Sequence, residues 1–177
     1  MDPTHTADTH SQEQEMTAAT ALPTTAPEAT LATPTASTAP INLTDLTEAS
    51  RAVILSYMDT LTTGDFDALR EFFAPDVTWT LAGDLPLSRT WVGPGAILDE
   101  FVPAMVERFV PGTMELEFEG VVADGERVLA EWNTRAIAKS GLPYDQHCLA
   151  IFTVRDGRIA AVREYFDTLH AKNVVFA

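Results

Sequence analysis

Three short turn signals, Asp124-Gly125, Ser140-Gly141 and Asp156-Gly157, divide the C-terminal part of this chain and decide what it can fold into. Each joins a residue that tolerates tight-turn backbone to a glycine. The segments around them alternate apolar and polar residues, most clearly Met114, Leu116 and Phe118 against Glu115, Glu117 and Glu119. A period of two marks a strand with one buried face. Four such strands joined by tight turns predict an antiparallel meander.

Helical signals precede the strands. Asp45 with Glu48 three residues on reads as a capping box, opening a helix to about Thr62 with Val53, Tyr57 and Leu61 on its apolar stripe. Gly64 ends it, and Asp65 caps a second helix carrying Phe66, Leu69, Phe72 and Phe73, stopped by Pro75. Val77, Trp79 and Leu81 alternate as a short strand. After a loop with Gly83, Asp84 and Pro86, Gly93-Pro94-Gly95 opens a third helix with the stripe Ile97, Phe101, Met105 and Phe109. Pro103 is expected to kink or break it. Three helices followed by a meander give an α+β class, with the helices gathered on one side of a bent, mainly antiparallel sheet.

Composition sets the boundary of this domain. Residues 1–42 are mostly Thr, Ala and Pro, and the first Lys or Arg of the chain is Arg51. Such a segment cannot bury enough apolar surface to offset its ordering entropy, so it reads as a disordered tail ahead of a domain at 43–177. It lacks the basic start and apolar stretch of a secretory signal, and Met16 is an alternative start. His5 and His10 are too isolated to make a metal site, and neither metal nor cofactor is expected. The net charge of −15 argues against nucleic-acid and anionic-membrane partners, since phosphate binding needs a basic patch. No apolar run approaches the roughly 20 residues of a membrane-spanning helix. The lone cysteine, Cys148, excludes an internal disulfide and suits a reducing, cytoplasmic setting.

The last strand carries the clearest chemical signal. After the Asp156-Gly157 turn, alternation puts Val162, Glu164 and Phe166 on one face and Arg163, Tyr165 and Asp167 on the other. A carboxylate between apolar neighbours is costly on a buried face unless something pairs with it or uses it. Glu164 is either a working base or a structural acid paired with Arg135 or Arg163. On the adjacent strand, Gln146, Cys148 and Ala150 share one face, and His147, Leu149 and Ile151 the other. His147 and Cys148 therefore point apart and form no direct dyad. The apolar outer face predicts a homodimer.

The run from Tyr57 through Asp65-Phe-Asp-Ala-Leu-Arg-Glu-Phe-Phe-Ala-Pro-Asp-Val-Thr-Trp79 resembles the opening of the nuclear-transport-factor-2-like superfamily. Trp91-Val-Gly-Pro-Gly-Ala-Ile97 and the closing Arg155-Asp-Gly-Arg-Ile and Arg163-Glu-Tyr-Phe-Asp167 carry the same resemblance, to the SnoaL-like and limonene-epoxide-hydrolase-like branch. It covers about residues 46–170 and implies a cone-shaped roll of three helices on a strongly bent sheet. Fold alone does not give function, because this scaffold hosts isomerases, hydrolases, cyclases and non-enzymes.

The resemblance also implies sites. The family's ketosteroid isomerases have a first-helix tyrosine, matched by Tyr57, but Leu81 and Ala150 stand where their two acids would be. Without its base that mechanism does not run. Against the epoxide hydrolases, Glu164 takes the last-strand aspartate's place. Trp79 and Leu81 replace the tyrosine and asparagine, and Trp132 and Thr134 replace the arginine and aspartate. A one-residue shift would instead turn Asn133 and Arg135 inward, with Arg135 able to pair with Glu164. The remaining expectation is an apolar cup for a small hydrophobic molecule, lined by Trp79, Leu81, Trp132, Gln146, Cys148 and Phe166. Glu164 would be its base and Tyr57 its hydroxyl donor, as in SnoaL-like cyclases that use a lone acid. A non-catalytic binding or dimeric accessory protein is the alternative.

Overall fold

The computed structural model of the chain describes residues 42–177. The readings made for the tail, including His5, His10 and Met16, lie outside them. Helix α1 (Leu43–Thr63) begins one turn earlier than the Asp45 signal suggests: Asn42 is its cap, accepting from Thr44 N. Asp45 lies in the first turn, where its charge favours the positive end of the helix dipole. Gly64 closes the helix in the left-handed conformation, at φ 72°.

Helix α2 (Phe66–Arg70) is capped by Asp65 but is shorter than its aromatic stripe. Phe73 already begins β1 (Phe73–Leu81), and Pro75 lies within that strand rather than ending the helix. The β1–β6 pairing shifts register between Phe73 and Thr78, the stretch that holds Pro75. An irregular stretch is where a strand can hold a residue with no N–H to donate. The loop that follows contains a strand the periodicity did not reveal, β2 (Thr90–Val92).

The third helical segment has three parts: a turn α3 (Gly93–Gly95), a π-helical turn Ala96–Phe101, and α4 (Val102–Val106). Val102 N donates to Ile97 O, five residues back. The irregularity expected at Pro103 is thus a widened turn just ahead of it, where a proline ring would otherwise crowd the preceding turn. Phe109, expected on this helix, lies beyond it and bridges to Ala138.

Strands β3 (Glu115–Asp124), β4 (Arg127–Ile137), β5 (Pro143–Arg155) and β6 (Arg158–Phe166) form the expected meander. The β5–β6 turn has both central residues at positive φ, Asp156 at 50° and Gly157 at 73°, the geometry that matches strand twist in a two-residue hairpin. The sheet order is β2-β1-β6-β5-β4-β3, with β1 and β6 parallel and every other pair antiparallel. The result is an α+β fold built on a curved six-stranded sheet that is not closed.

Helix α1 lies across the sheet, burying Ile54, Tyr57 and Met58 in a core with Phe73, Val77 and Phe152. Thr47 Oγ1 accepts from Gly125 N at 2.8 Å, tying the start of α1 to the β3–β4 turn. A smaller cluster packs the C-terminal helix α5 (Thr168–Val174) against Leu85, Phe109 and Tyr144. Asp167 caps α5, accepting from Leu169 N and His170 N.

Candidate functional site

Between the helices and the concave face of the sheet lies a cavity of about 460 Å³. That volume is within the range of small-molecule sites. Its position follows from alternation: residues two apart on β1, β4, β5 and β6 share the inner face. From β1 come Trp79 and Leu81, from β4 Trp132 and Thr134, from β5 Tyr144 and Cys148, and from β6 Glu164 and Phe166. Helix α1 adds Tyr57 and Leu61, while Phe101 and Met105 close the helical side.

The β4–β5 register resolves the alternative left open at Arg135. Trp132 pairs with Cys148 and Thr134 with Gln146, so Trp132 and Thr134 face inward. Arg135 is on the outer face, with Nη1 2.8 Å from Glu117 and Nε 3.5 Å from Asp145. It does not reach Glu164, and the Arg135–Glu164 pairing is therefore set aside. Asn133 likewise points outward, donating to Glu119 Oε1.

Glu164 lines this cup, partly buried, paired in register with Leu81 on one side and Ala150 on the other. Its backbone oxygen accepts from Ala82 N at 3.3 Å. Its side chain accepts from the indole Nε1 of Trp79, at 3.0 Å to Oε2. No salt bridge among the described residues reaches it. Burial disfavours the charged form and pushes its pKa up from 4.5 to about 7, while the Trp79 hydrogen bond holds it down. Half of such carboxyls are ionised near neutrality, which suits a proton acceptor.

The other acidic groups of the cup are donors. Tyr57 is 3 % exposed, and its pKa is raised first by burial and then by the Glu164 charge. Tyr144, stacked on His170 with ring centroids 5.3 Å apart, is raised first by burial, then by Cys148, Glu164 and Asp167. The Cys148 thiol is pushed up to about 12 by burial and then by Glu164, against a hydrogen bond with Thr134. A thiol held neutral in this way is a poor nucleophile.

Seven of the eight site residues read from the sequence line this one cavity; Gln146 does not. It shares the parity of Cys148 but is buried to one side, its Nε2 donating to His147 O at 3.3 Å. Tyr144 was missed although it sits on the same alternation, two residues before Gln146. Phe101 and Met105 were assigned to a helix stripe without being placed at the cavity. Outside the cup, His147 and Asp84 are exposed, and Leu149 and Ile151 are half-buried on the outer face.

Among the described residues no cluster of His, Cys, Asp or Glu is arranged to hold a metal ion, and no helix is long and apolar enough to cross a membrane. Comparison with known proteins agrees with this architecture. No curated protein matches the chain by sequence. Among solved structures, an NTF2-like protein of Burkholderia xenovorans LB400 is 25% identical, covering 73% of this chain and 97% of that one at a TM-score of 0.60. TerC, co-crystallised with polyporic acid, is 21% identical, covering 73% and 99% at a TM-score of 0.64. A protein from Jannaschia sp. CCS1, assigned as a SnoaL-like polyketide cyclase, is 18% identical, covering 75% and 94% at 0.60. The profile of the SnoaL-like domain matches residues 54–162, well over half of the chain and including most of the residues that build the cup. The chain belongs to the SnoaL-like family of the NTF2-like fold.

Proposed function

We propose that the cavity binds a small hydrophobic molecule and that Glu164 serves there as general base in a cofactor-independent proton transfer, of the cyclase, isomerase or atypical hydrolase type. One observation carries this reading: a carboxylate with no cationic partner, held by a single indole N–H inside an apolar cup. A structural acid would be paired by an arginine. This one keeps Oε1 free of any hydrogen bond among the described residues, in a cavity whose other polar side chains are hydroxyls, a thiol and the indole of Trp132. In a proton transfer, Glu164 takes hydrogen from an activated carbon. The electron pair is left on an adjacent carbonyl as an enolate, and Tyr57 or Tyr144 donates to that oxygen. The proton then returns from Glu164 to a different carbon, or to a leaving group. Fold relatives that include a protein assigned as a SnoaL-like polyketide cyclase support a small hydrophobic ligand.

The same reading places a homodimer across the outer sheet face, in a reducing compartment, with no nucleic-acid or membrane partner. The test of the catalytic part is solvent deuterium exchange into an aryl ketone such as β-tetralone, followed by NMR. The wild type is expected to accelerate exchange, and Glu164→Gln to slow it by roughly a hundredfold while still binding the ketone. Binding by both proteins with no exchange above background would leave a carrier protein in place of an enzyme.

A further inference from the structure

The cavity is chemically lopsided. Among its lining residues Glu164 is the sole acid of the carboxylate kind, and no Lys, Arg or His is present. The hydroxyls and thiol that share the cup stay neutral, so nothing inside it balances a negative charge. The rest of the lining is rich in aromatic faces: Trp79, Trp132, Tyr57, Tyr144, Phe101 and Phe166. Trp79 packs with Phe101 at 6.1 Å between centroids, and Phe152, which does not line the cavity, meets both Trp79 at 6.3 Å and Tyr57 at 5.7 Å. Ala150, the register partner of Glu164, is fully buried in the core and does not line the cavity, whereas Glu164 does.

An anion entering this space would meet Glu164 with no compensating donor charge. The protein's net charge of −15 adds a repulsive field outside. A cation would find the carboxylate oxygen that Trp79 leaves free, and ring faces that attract positive charge. A buried carboxylate without a partner is the unfavourable state, and a ligand cation supplies the missing partner. We infer that the cup selects a hydrophobic amine: an aromatic or polycyclic body in the apolar volume, with a protonated nitrogen against Glu164 Oε1. The inference rests on the reading of the cavity as a ligand site. It does not depend on Glu164 acting as a base.

Three probes of one shape test it: naphthylethylamine, naphthylethanol and naphthylacetate, titrated calorimetrically into the full-length protein at about pH 8, where Glu164 is largely ionised. The amine is expected to bind at least tenfold more tightly than the alcohol, and the acetate most weakly. Glu164→Gln should bring the amine and the alcohol to within about threefold of one another, since the glutamine cannot pair with a cation. Should that variant fail to fold, the wild type at about pH 5.5 serves instead, below the carboxyl's value of about 7, where protonated Glu164 should lose the preference for the amine and keep the alcohol. The other titratable groups facing Glu164 are Tyr57 of α1 and Tyr144 and Cys148 of β5, all raised and neutral across this window. Alcohol or acetate binding as tightly as the amine would overturn the amine assignment and leave the ligand site standing. Binding of none of the three would overturn the ligand site itself, and the assignment with it.

Discussion

The indole N–H of Trp79 donates to Glu164 Oε2 at 3.0 Å across the parallel β1–β6 pair, joining residues 85 positions apart in the chain. That bond stabilises the ionised carboxylate against the burial that disfavours it. Trp79→Phe keeps the ring and removes the donor, so the pKa of Glu164 should rise further above about 7, by roughly one pH unit. Carboxyl carbon NMR of glutamate-labelled protein reads this directly. A value that stays put or falls would mean the bond does not govern the carboxyl.

Replacing Glu164 should stabilise the protein above neutrality. Its pKa is about 7 when folded against 4.5 when unfolded, so between these values the folded state holds a proton that the unfolded state has released. Stability therefore falls as pH rises through this window, and above it the loss is complete, on the order of 3 kcal/mol. Glu164→Gln has no such dependence and its amide oxygen still accepts from Trp79. Its melting temperature should exceed that of the wild type at about pH 8 and converge with it at about pH 4, below the unfolded carboxyl's value. A glutamine variant less stable at the higher pH would show that Glu164 is held by a cation in the folded protein.

Arg135 gives the complementary control. It pairs with Glu117 and Asp145 on the exposed outer face. Arg135→Ala should leave the Glu164 titration where it is, as followed by the same NMR signal. A shift would show that the outer charges reach the cup.

The β5–β6 turn offers a pure backbone test. Gly157 sits at φ 73°, and a Cβ added there meets nothing within 4 Å. Gly157→Ala should therefore cost about 1 kcal/mol through strain alone, lowering the melting temperature by roughly 3–6 °C in calorimetry. No change would mean the turn relaxes to another geometry.

The proposed outer-face dimer predicts a concentration-dependent sedimentation coefficient at tens of micromolar, on the order of ordinary interface affinities. Leu149→Glu should shift it toward the monomer. A monomer across that range in the unaltered protein would count against the pairing.

The parts of the fold that rest on local chemistry were legible in the sequence. The Asp-Gly turns, the alternation of β3 to β6 and the Gly64 stop are all dictated within a few residues. Glu164 was legible for the same reason, since parity along one strand needs no knowledge of the rest. What the sequence withheld depended on pairing between strands. The side of the sheet taken by Arg135 is fixed by the β4–β5 register, and one residue of slip reverses it. Parity alone could not show that Gln146 is buried beside the cavity rather than in it. Pro75 misled because proline ends helices yet also fits an irregular stretch of strand. Helix α5 did leave a local signal, Asp167 ahead of Thr168-Leu-His-Ala171, of the kind that capped α1 and α2.

The parallel pairing of β1 with β6 has a consequence for how the protein is made. During synthesis β1 leaves the ribosome long before β6, and its inner edge has no neighbour until nearly the whole chain has emerged. Strand edges left open in this way recruit other chains, and non-local pairings form late. The nascent protein therefore holds Trp79 without Glu164 while the 85 positions between them are added. A product that stops before residue 158 would have the tryptophan wall, an open edge and no acid.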